Sequence, residues 1–195
     1  MKQLCDIYGK RFFGKRHKLH WRAPHVCKAI DDVLHPTSVV DVGCATGDLV
    51  DCWQHNFGVE AMGIEGDKSA EEFLVTDNIW FYDMRVSNEY SFTFDLCTCL
   101  EVAEHIEPEY ASIFVKNLVD LSDKILTSCA PPGQGGHHHV NCQPLPYWIY
   151  IFESFGYTYQ PLIVDDIKKG WEPWRKKDGI RAFDWNLAYF EKENG

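Results

Sequence analysis

The stretch VVDVGCATGDL, residues 39–49, reads as a buried strand running through a glycine turn into a helix. Ser38–Val42 is compact and apolar apart from Asp41, and the helix is expected over Thr46–Gln54. Gly43 and Gly47 permit a tight turn and let a ligand approach the backbone closely. The helix start beyond them offers unpaired N–H groups. Eighteen residues after Gly47, a second strand over 59–64 ends at Glu65-Gly66. An acid at that place suits the two hydroxyls of a ribose. Glycines alone are a weak signal. Glycines between a strand and a helix, with an acid closing the next strand, are a specific one.

Working outward, strand-like and helix-like runs alternate, which predicts an α/β fold with a mostly parallel sheet. Residues 22–34 read as a helix stopped near Pro36, and 67–74 as helical with Asp67 as its N-cap. Strands are expected at 79–82, 94–100 and 124–129. Residues 108–121 carry apolar side chains at 111, 114, 115, 118 and 121, a helical period. The run PPGQGGHHHVNC at 131–142 is a loop. A helix over 145–155, a strand over 157–163, a polar loop over 165–180 and a closing strand over 181–190 complete the chain. No repeat or linker interrupts it. The expected organisation is therefore one domain over 1–195, with a basic arm and helix in 1–35 and the core in 36–192.

Composition agrees with a globular chain: 195 residues, 45% apolar and 25% charged. No run approaches the roughly 18 apolar residues of a membrane helix, and the first twenty residues lack the apolar centre of a secretion signal. The expectation is a cytoplasmic protein with no membrane span. Its eight cysteines are then expected to be reduced. The net charge of −10 is uneven. Residues 1–28 hold eight Lys/Arg against Asp6 alone, a net +7, which leaves −17 on the rest. An acidic body disfavours non-specific nucleic-acid binding. The basic arm, and the segment IKKGWEPWRKKDGIR at 167–181 with its six basic residues, Trp171 and Trp174, keep an anionic partner in view. Both segments are expected to cover the acceptor side of the cleft.

The turn reads Gly43-Cys-Ala45-Thr-Gly47. A pyrophosphate-binding fingerprint would be Gly-x-Gly-x-x-Gly, which argues against a nicotinamide dehydrogenase. No Lys-Ser/Thr follows, which excludes a P-loop. The pattern resembles motif I of the class I S-adenosylmethionine-dependent methyltransferases, with Ala45 at the usual middle glycine. The resemblance implies a Rossmann-like seven-stranded, mostly parallel sheet flanked by helices, its last strand antiparallel, and S-adenosylmethionine as cofactor. It implies cofactor contacts from Asp41, Gly43, Cys44, Ala45 and Gly47, from Glu65 and Gly66 at the ribose, and from Asp83 and Met84 at the adenine. Leu100 and Glu101, in FDLCTCLEVAEHI at 94–106, would pass under the methionine moiety. The stretch from Pro132 to Tyr157, with Gly133, Gln134, Gly135, Gly136, His139, Val140, Asn141, Tyr147, Trp148, Phe155 and Gly156, resembles a subgroup of these enzymes.

Methyl transfer from a sulfonium mainly requires alignment of the acceptor. An oxygen or nitrogen acceptor can also need a proton removed, which suits histidine. His139, in the loop after the fifth strand, is the first candidate for a base and His105 the second, although a packed structural role suits His105 better. Asn141 is a candidate for orienting the acceptor, and Tyr147 and Trp148 for walling it. His137, His138 and His139 cannot all point one way, and the spacing is not that of a paired-cysteine zinc site, so no metal is expected. Cys97 and Cys99 share a face of a central strand and are read as core. The leading reading is methylation of a small polar metabolite such as a sugar. The alternatives are an RNA or protein methyltransferase and a non-catalytic partner subunit.

Overall fold

A computed structural model describes residues 4–177 and 180–193. The Asp178-Gly179 part of the expected polar loop lies outside the described residues. In chain order the elements are α1 (Gly9–Arg16), α2 (Ala23–Leu34), β1 (Ser38–Val42), α3 (Asp48–Cys52), β2 (Glu60–Glu65), β3 (Ile79–Phe81) and β4 (Leu96–Leu100). There follow α4 (Ala111–Leu121), β5 (Lys124–Ser128), α5 (Leu145–Glu153), β6 (Tyr157–Tyr159), α6 (Pro161–Gly170), α7 (Arg181–Trp185) and β7 (Ala188–Lys192). The sheet has the order β3-β2-β1-β4-β5-β7-β6, and β7 runs antiparallel to both neighbours. This is the seven-stranded, mostly parallel sheet that the sequence predicts.

The side chains alternate across the sheet as a pleat requires. Val39, Leu96, Leu126 and Tyr189 pack with α2, α3, α6 and Trp171 on one face. Val40, Val42, Cys97, Cys99, Ile125 and Phe190 pack with α4 and α5 on the other. Asp41 is registered beside Gly63 of β2 and Thr98 of β4. Strand order reverses between β1 and β4, so a crevice opens at their carboxyl ends, where open α/β sheets bind ligands.

Four expectations need correction. The strand over 157–163 stops at Tyr159, because Pro161 opens α6. Proline fixes φ and has no N–H to lose in a first helical turn. Val164, Ile167 and Trp171 then fall on one helical face and are buried, so much of the expected 165–180 loop is helix. The closing strand begins only at Ala188, after the short α7. The helix expected over 46–54 is regular only from Asp48 to Cys52 and continues as a π turn, Trp53–Phe57. The cap at Asp67 is as expected: its carboxylate accepts from the Ser69 N–H at 2.8 Å.

Gly170 lies against α2, where an added Cβ would stand 2.6 Å from Ala29 Cβ and 2.9 Å from its Cα. Gly170→Ala should therefore destabilise the fold. Overpacking of about 1–3 kcal/mol outweighs the helix-propensity gain of about 1 kcal/mol. Adding Ala29→Gly should recover part of the loss. Thermal unfolding of the two variants checks this, and a stabilised single variant would show that the helices separate freely.

Candidate functional site

The turn after β1 is built from left-handed residues. Gly43, Ala45 and Gly47 have φ of 72°, 52° and 82°. At Gly43 an added Cβ would stand 2.3 Å from Val102 Cγ2, so glycine is required for space as well as conformation. The Gly43 and Cys44 N–H groups donate to Ile64 O at 2.7 and 3.2 Å. Glu65, at the end of β2, closes the turn. Its Oε2 accepts from Ala45 N–H and its Oε1 from Asp67 N–H, each at 2.9 Å. The carboxylate predicted from spacing alone thus sits against the turn that predicted it.

A cavity of about 130 Å³ lies over these groups. Asp41, Gly43, Cys44, Ala45, Glu65, Gly66, Asp83, Met84 and Leu100 all line it. Gly47 does not. It instead caps α3 and faces Thr76 and Ile79. Asp41 is buried and accepts from Thr98 Oγ1 at 2.7 Å. Asp83 reaches the cavity already engaged, because Arg85 donates to both its oxygens at 2.8–3.2 Å. Arg85 also donates to Glu107 at 3.2 and 3.3 Å, so a buried guanidinium ties the end of β3 to the segment before α4.

Part of the wall comes from residues that the sequence reading did not single out. Leu4, Tyr8, Phe12, Phe13 and Arg16 of the arm line the cavity, with Arg22 and Phe183. Phe13 is fully buried, and Arg16 lies over the Phe12 ring at 5.0 Å. Lys10 pairs with Glu72 and holds α1 to the segment after β2. The available signal was Tyr8, Phe12 and Phe13 within a basic run, a helical spacing on a segment otherwise too polar to bury. The described residues of the 167–181 segment do not share this role. Trp171 is fully buried, Trp174 stacks on His25 at 4.0 Å, and neither lines the cavity.

Beside the cavity stands a second cluster, of Glu101, Glu104, His105 and His139. Glu101 follows β4 with φ of 58°, a left-handed conformation costly for a non-glycine residue. Its Oε1 accepts from Ser128 Oγ at 3.0 Å and its Oε2 from Gln134 Nε2 at 3.1 Å. His105 lines the cavity, and His105 Nδ1 donates to His138 O at 3.2 Å. His139 Nδ1 donates to Gln134 O at 3.3 Å. The Val140 and Asn141 N–H groups both donate to Glu104 O at 3.0 Å, which pins the 131–142 loop onto the turn after β4. At Gly136 an added Cβ would meet the His139 ring at 2.0–2.4 Å, so this glycine makes room for the imidazole. Glu104 was the residue missed. It is fully buried, and its place beside His105 was the only local hint.

The expected acceptor residues lie elsewhere. Trp148 is fully buried within α5 against α4 and the sheet, so it is core rather than a cavity wall. Tyr147 packs at the edge of the same cluster. Asn141 is buried and accepts from Gln143 Nε2 at 3.1 Å. None of the three, nor His139, lines the cavity.

Burial dominates the electrostatics. It pushes Asp41 up to about 7, against the Thr98 hydrogen bond and Arg22. It likewise pushes Glu65 up to about 7, against the amides of Asp67 and Ala45. Burial, then Glu101, pushes Glu104 up to about 8. The backbone amides of Glu104 and Ala130 pull the other way without meeting its oxygens in hydrogen-bond geometry. His105 is pushed down to about 4, chiefly by burial.

No family model and no curated protein matches the chain. Solved structures do. The plantazolicin methyltransferase BpumL, in complex with a triazolic desmethylPZN analog and SAH, superposes with a TM-score of 0.64 at 10% identity, over 94% of this chain and 91% of that one. Magnesium protoporphyrin IX methyltransferase (ChlM) from Synechocystis PCC 6803, with bound SAH, gives 0.57 at 15% identity, over 94% and 98%. The small RNA methyltransferase HEN1 gives 0.59 at 15% identity, over 87% of this chain and 25% of that one. The chain therefore has the fold of class I S-adenosylmethionine-dependent methyltransferases. Among the described residues, no helix is long and apolar enough to cross a membrane.

The raised carboxyls make a stability prediction. A carboxyl whose folded value lies above its unfolded one favours the fold while protonated, and that contribution is lost as pH rises through the folded value. Above pH 6.5 the depressed His105 no longer adds a pH-dependent term of its own. The melting temperature of the ligand-free protein should fall between pH 6.5 and 8.5, and Asp41→Asn should flatten the fall. A melting temperature that rises over this window would contradict the burial of Asp41 and Glu65.

Proposed function

We propose that the chain is an S-adenosylmethionine-dependent methyltransferase that methylates oxygen or nitrogen of a small polar acceptor. The observation that carries this reading is Glu65 clamped to Ala45 N–H at the mouth of the strand-β1 turn. Each Glu65 oxygen takes one backbone N–H and retains acceptor capacity for a ribose hydroxyl. Gly43 and Ala45 give the close backbone approach, Met84 and Leu100 the apolar contacts, and Asp83 a carboxylate held in place by Arg85. These residues fit S-adenosylmethionine, which when bound would supply an electrophilic methyl on sulfur. The turn's Gly-x-Ala-x-Gly spacing does not fit the pyrophosphate of NAD.

A small acceptor is supported by the arm, whose Tyr8, Phe12 and Phe13 give the cavity an apolar wall. A second reading, an RNA acceptor, draws on Arg11, Lys15 and Arg16, which line a groove with Tyr8, Phe12 and His137 on the arm's outer side. That is the pairing of phosphate-binding and base-stacking groups. The structural neighbours act on chemically unlike partners, so the fold itself does not choose. A methyl-transfer screen with labelled cofactor against sugars, small metabolites, RNA and protein extracts decides between the readings.

S-adenosylhomocysteine should bind and NAD should not. Hydroxyls donate to the ionised form of Glu65, so affinity should rise from pH 6 to 8 and then level off, and Glu65→Gln should remove most of that dependence. Glu65→Ala should weaken binding by about 1.5–3 kcal/mol, the worth of a charge-assisted hydrogen-bonding group. Calorimetry at several pH values measures both effects, and an unchanged affinity in Glu65→Ala would defeat the reading.

The cavity is smaller than the roughly 300–1,000 Å³ of ordinary ligand sites. The arm must therefore shift for the cofactor to enter. Limited trypsin cleavage at Lys10, Arg11 and Lys15 should change with saturating S-adenosylhomocysteine, whereas cleavage at Lys168 and Lys169 should not. Identical arm cleavage in both states would show that the cofactor enters without moving the arm.

A further inference from the structure

Glu104, His105 and His139 bring one carboxylate oxygen and two imidazole nitrogens together in one place. Glu104 is fully buried, and neither of its carboxylate oxygens has a hydrogen-bond partner. Its Oε1 lies 3.8 Å from His105 Nε2 and 3.9 Å from His139 Nε2, too far for hydrogen bonds. One ligand atom from each of the three residues falls within 4.8 Å of the others. Each imidazole turns its Nδ1 to a backbone carbonyl, His138 O or Gln134 O. A carbonyl only accepts, so the proton sits on Nδ1 and Nε2 presents its lone pair toward Glu104. A buried ionised carboxylate facing two such lone pairs is strongly disfavoured, so the group is held either by a proton or by a cation that joins all three.

We infer that Glu104 Oε1, His105 Nε2 and His139 Nε2 form a binding site for a divalent transition-metal cation. Two imidazoles and a carboxylate suit Mn²⁺, Fe²⁺, Co²⁺ or Zn²⁺ better than Mg²⁺ or Ca²⁺. An Nδ1–H fixed by a carbonyl is the arrangement that orients metal-binding histidines. Glu101 is a positioning residue here: it holds Gln134, whose carbonyl holds His139. The set takes one histidine from the His137–His139 run and joins it to the Glu104-His105 pair across the pinned loop, which local spacing cannot show. Three protein ligands leave open positions, and His105 places them beside the cavity. There the cation would hold the acceptor's oxygen or nitrogen and lower its pKa. That role rests on the methyl-transfer reading, whereas cation binding does not.

The test uses the full-length protein, freed of metal by dialysis against a chelator and titrated with Mn²⁺. Electron paramagnetic resonance measures free Mn²⁺, and histidine-ring NMR signals locate the bound ion. One Mn²⁺ per chain should bind, broadening the His105 and His139 ring signals and sparing His55. Glu104→Gln and His139→Ala should each weaken Mn²⁺ binding by about tenfold or more. The wild-type titration needs no variant to fold, so absence of saturable binding there overturns the site outright. Undiminished binding in either folded variant overturns it as well. S-adenosylhomocysteine binding is measured in parallel by calorimetry. Its loss with Mn²⁺ binding intact would sink the methyl-transfer reading and support the cation site, and the reverse pattern would do the opposite.

Discussion

Buried carboxyl groups at the carboxyl ends of the central strands set the terms for this site. Asp41 lies in β1, Glu65 ends β2 and Glu104 follows β4, all largely or wholly removed from water. Such groups must be hydrogen-bonded, protonated or paired. Asp41 is met by a threonine hydroxyl and Glu65 by two backbone amides. Glu104 has none of these partners. The local backbone is arranged around them at some expense. Of the four non-glycine residues with left-handed φ among the described residues, Ala45, Glu101 and His138 lie at this edge. Strain of this kind persists only where the surroundings over-determine it. Here the surroundings are Glu65 on the first turn, Ser128 and Gln134 on the second, and the Val140 and Asn141 amides on the loop.

The parts of the fold legible in the sequence were those governed by short-range rules. A buried strand, a glycine turn and an acid closing the next strand located Gly43, Ala45 and Glu65 together, because parallel neighbours place their ends side by side. The 111–121 helix followed from its period. What escaped was governed by contacts distant in sequence. Residues 165–170 look like a polar loop because α6 buries only one side, against α2, and shows aspartates and lysines to water. Tyr147 and Trp148 look like a binding wall in a subgroup-like segment, yet α5 turns Trp148 into the core. Glu104 gave no signal beyond its place beside His105, because its surroundings come from the 131–142 loop, attached through backbone carbonyls and amides that any residue type supplies.

The uneven charge takes on a structural meaning once the arm is seen in place. The body carries the acidic excess, and its most buried acids face the crevice. Arg16 and Arg22 are brought to that crevice by the arm and the start of α2. Arg22 favours the ionised form of Asp41, and Arg16 that of Glu104. The arm is therefore part of the electrostatics of the site as well as its roof. Its docking rests on the buried Phe13 ring, on Tyr8 packed edge-on against His105 and His137, on His137 Nε2 donating to Ile7 O at 2.7 Å, and on Lys10 with Glu72, an exposed pair worth little by itself. Displacing the arm would remove the Arg16 guanidinium from beside Glu104 and leave Arg22, at the start of α2, in place. Arm position and the ionisation of Glu104 are thus coupled, and any cation that enters beside Glu104 competes with Arg16 for the same negative charge.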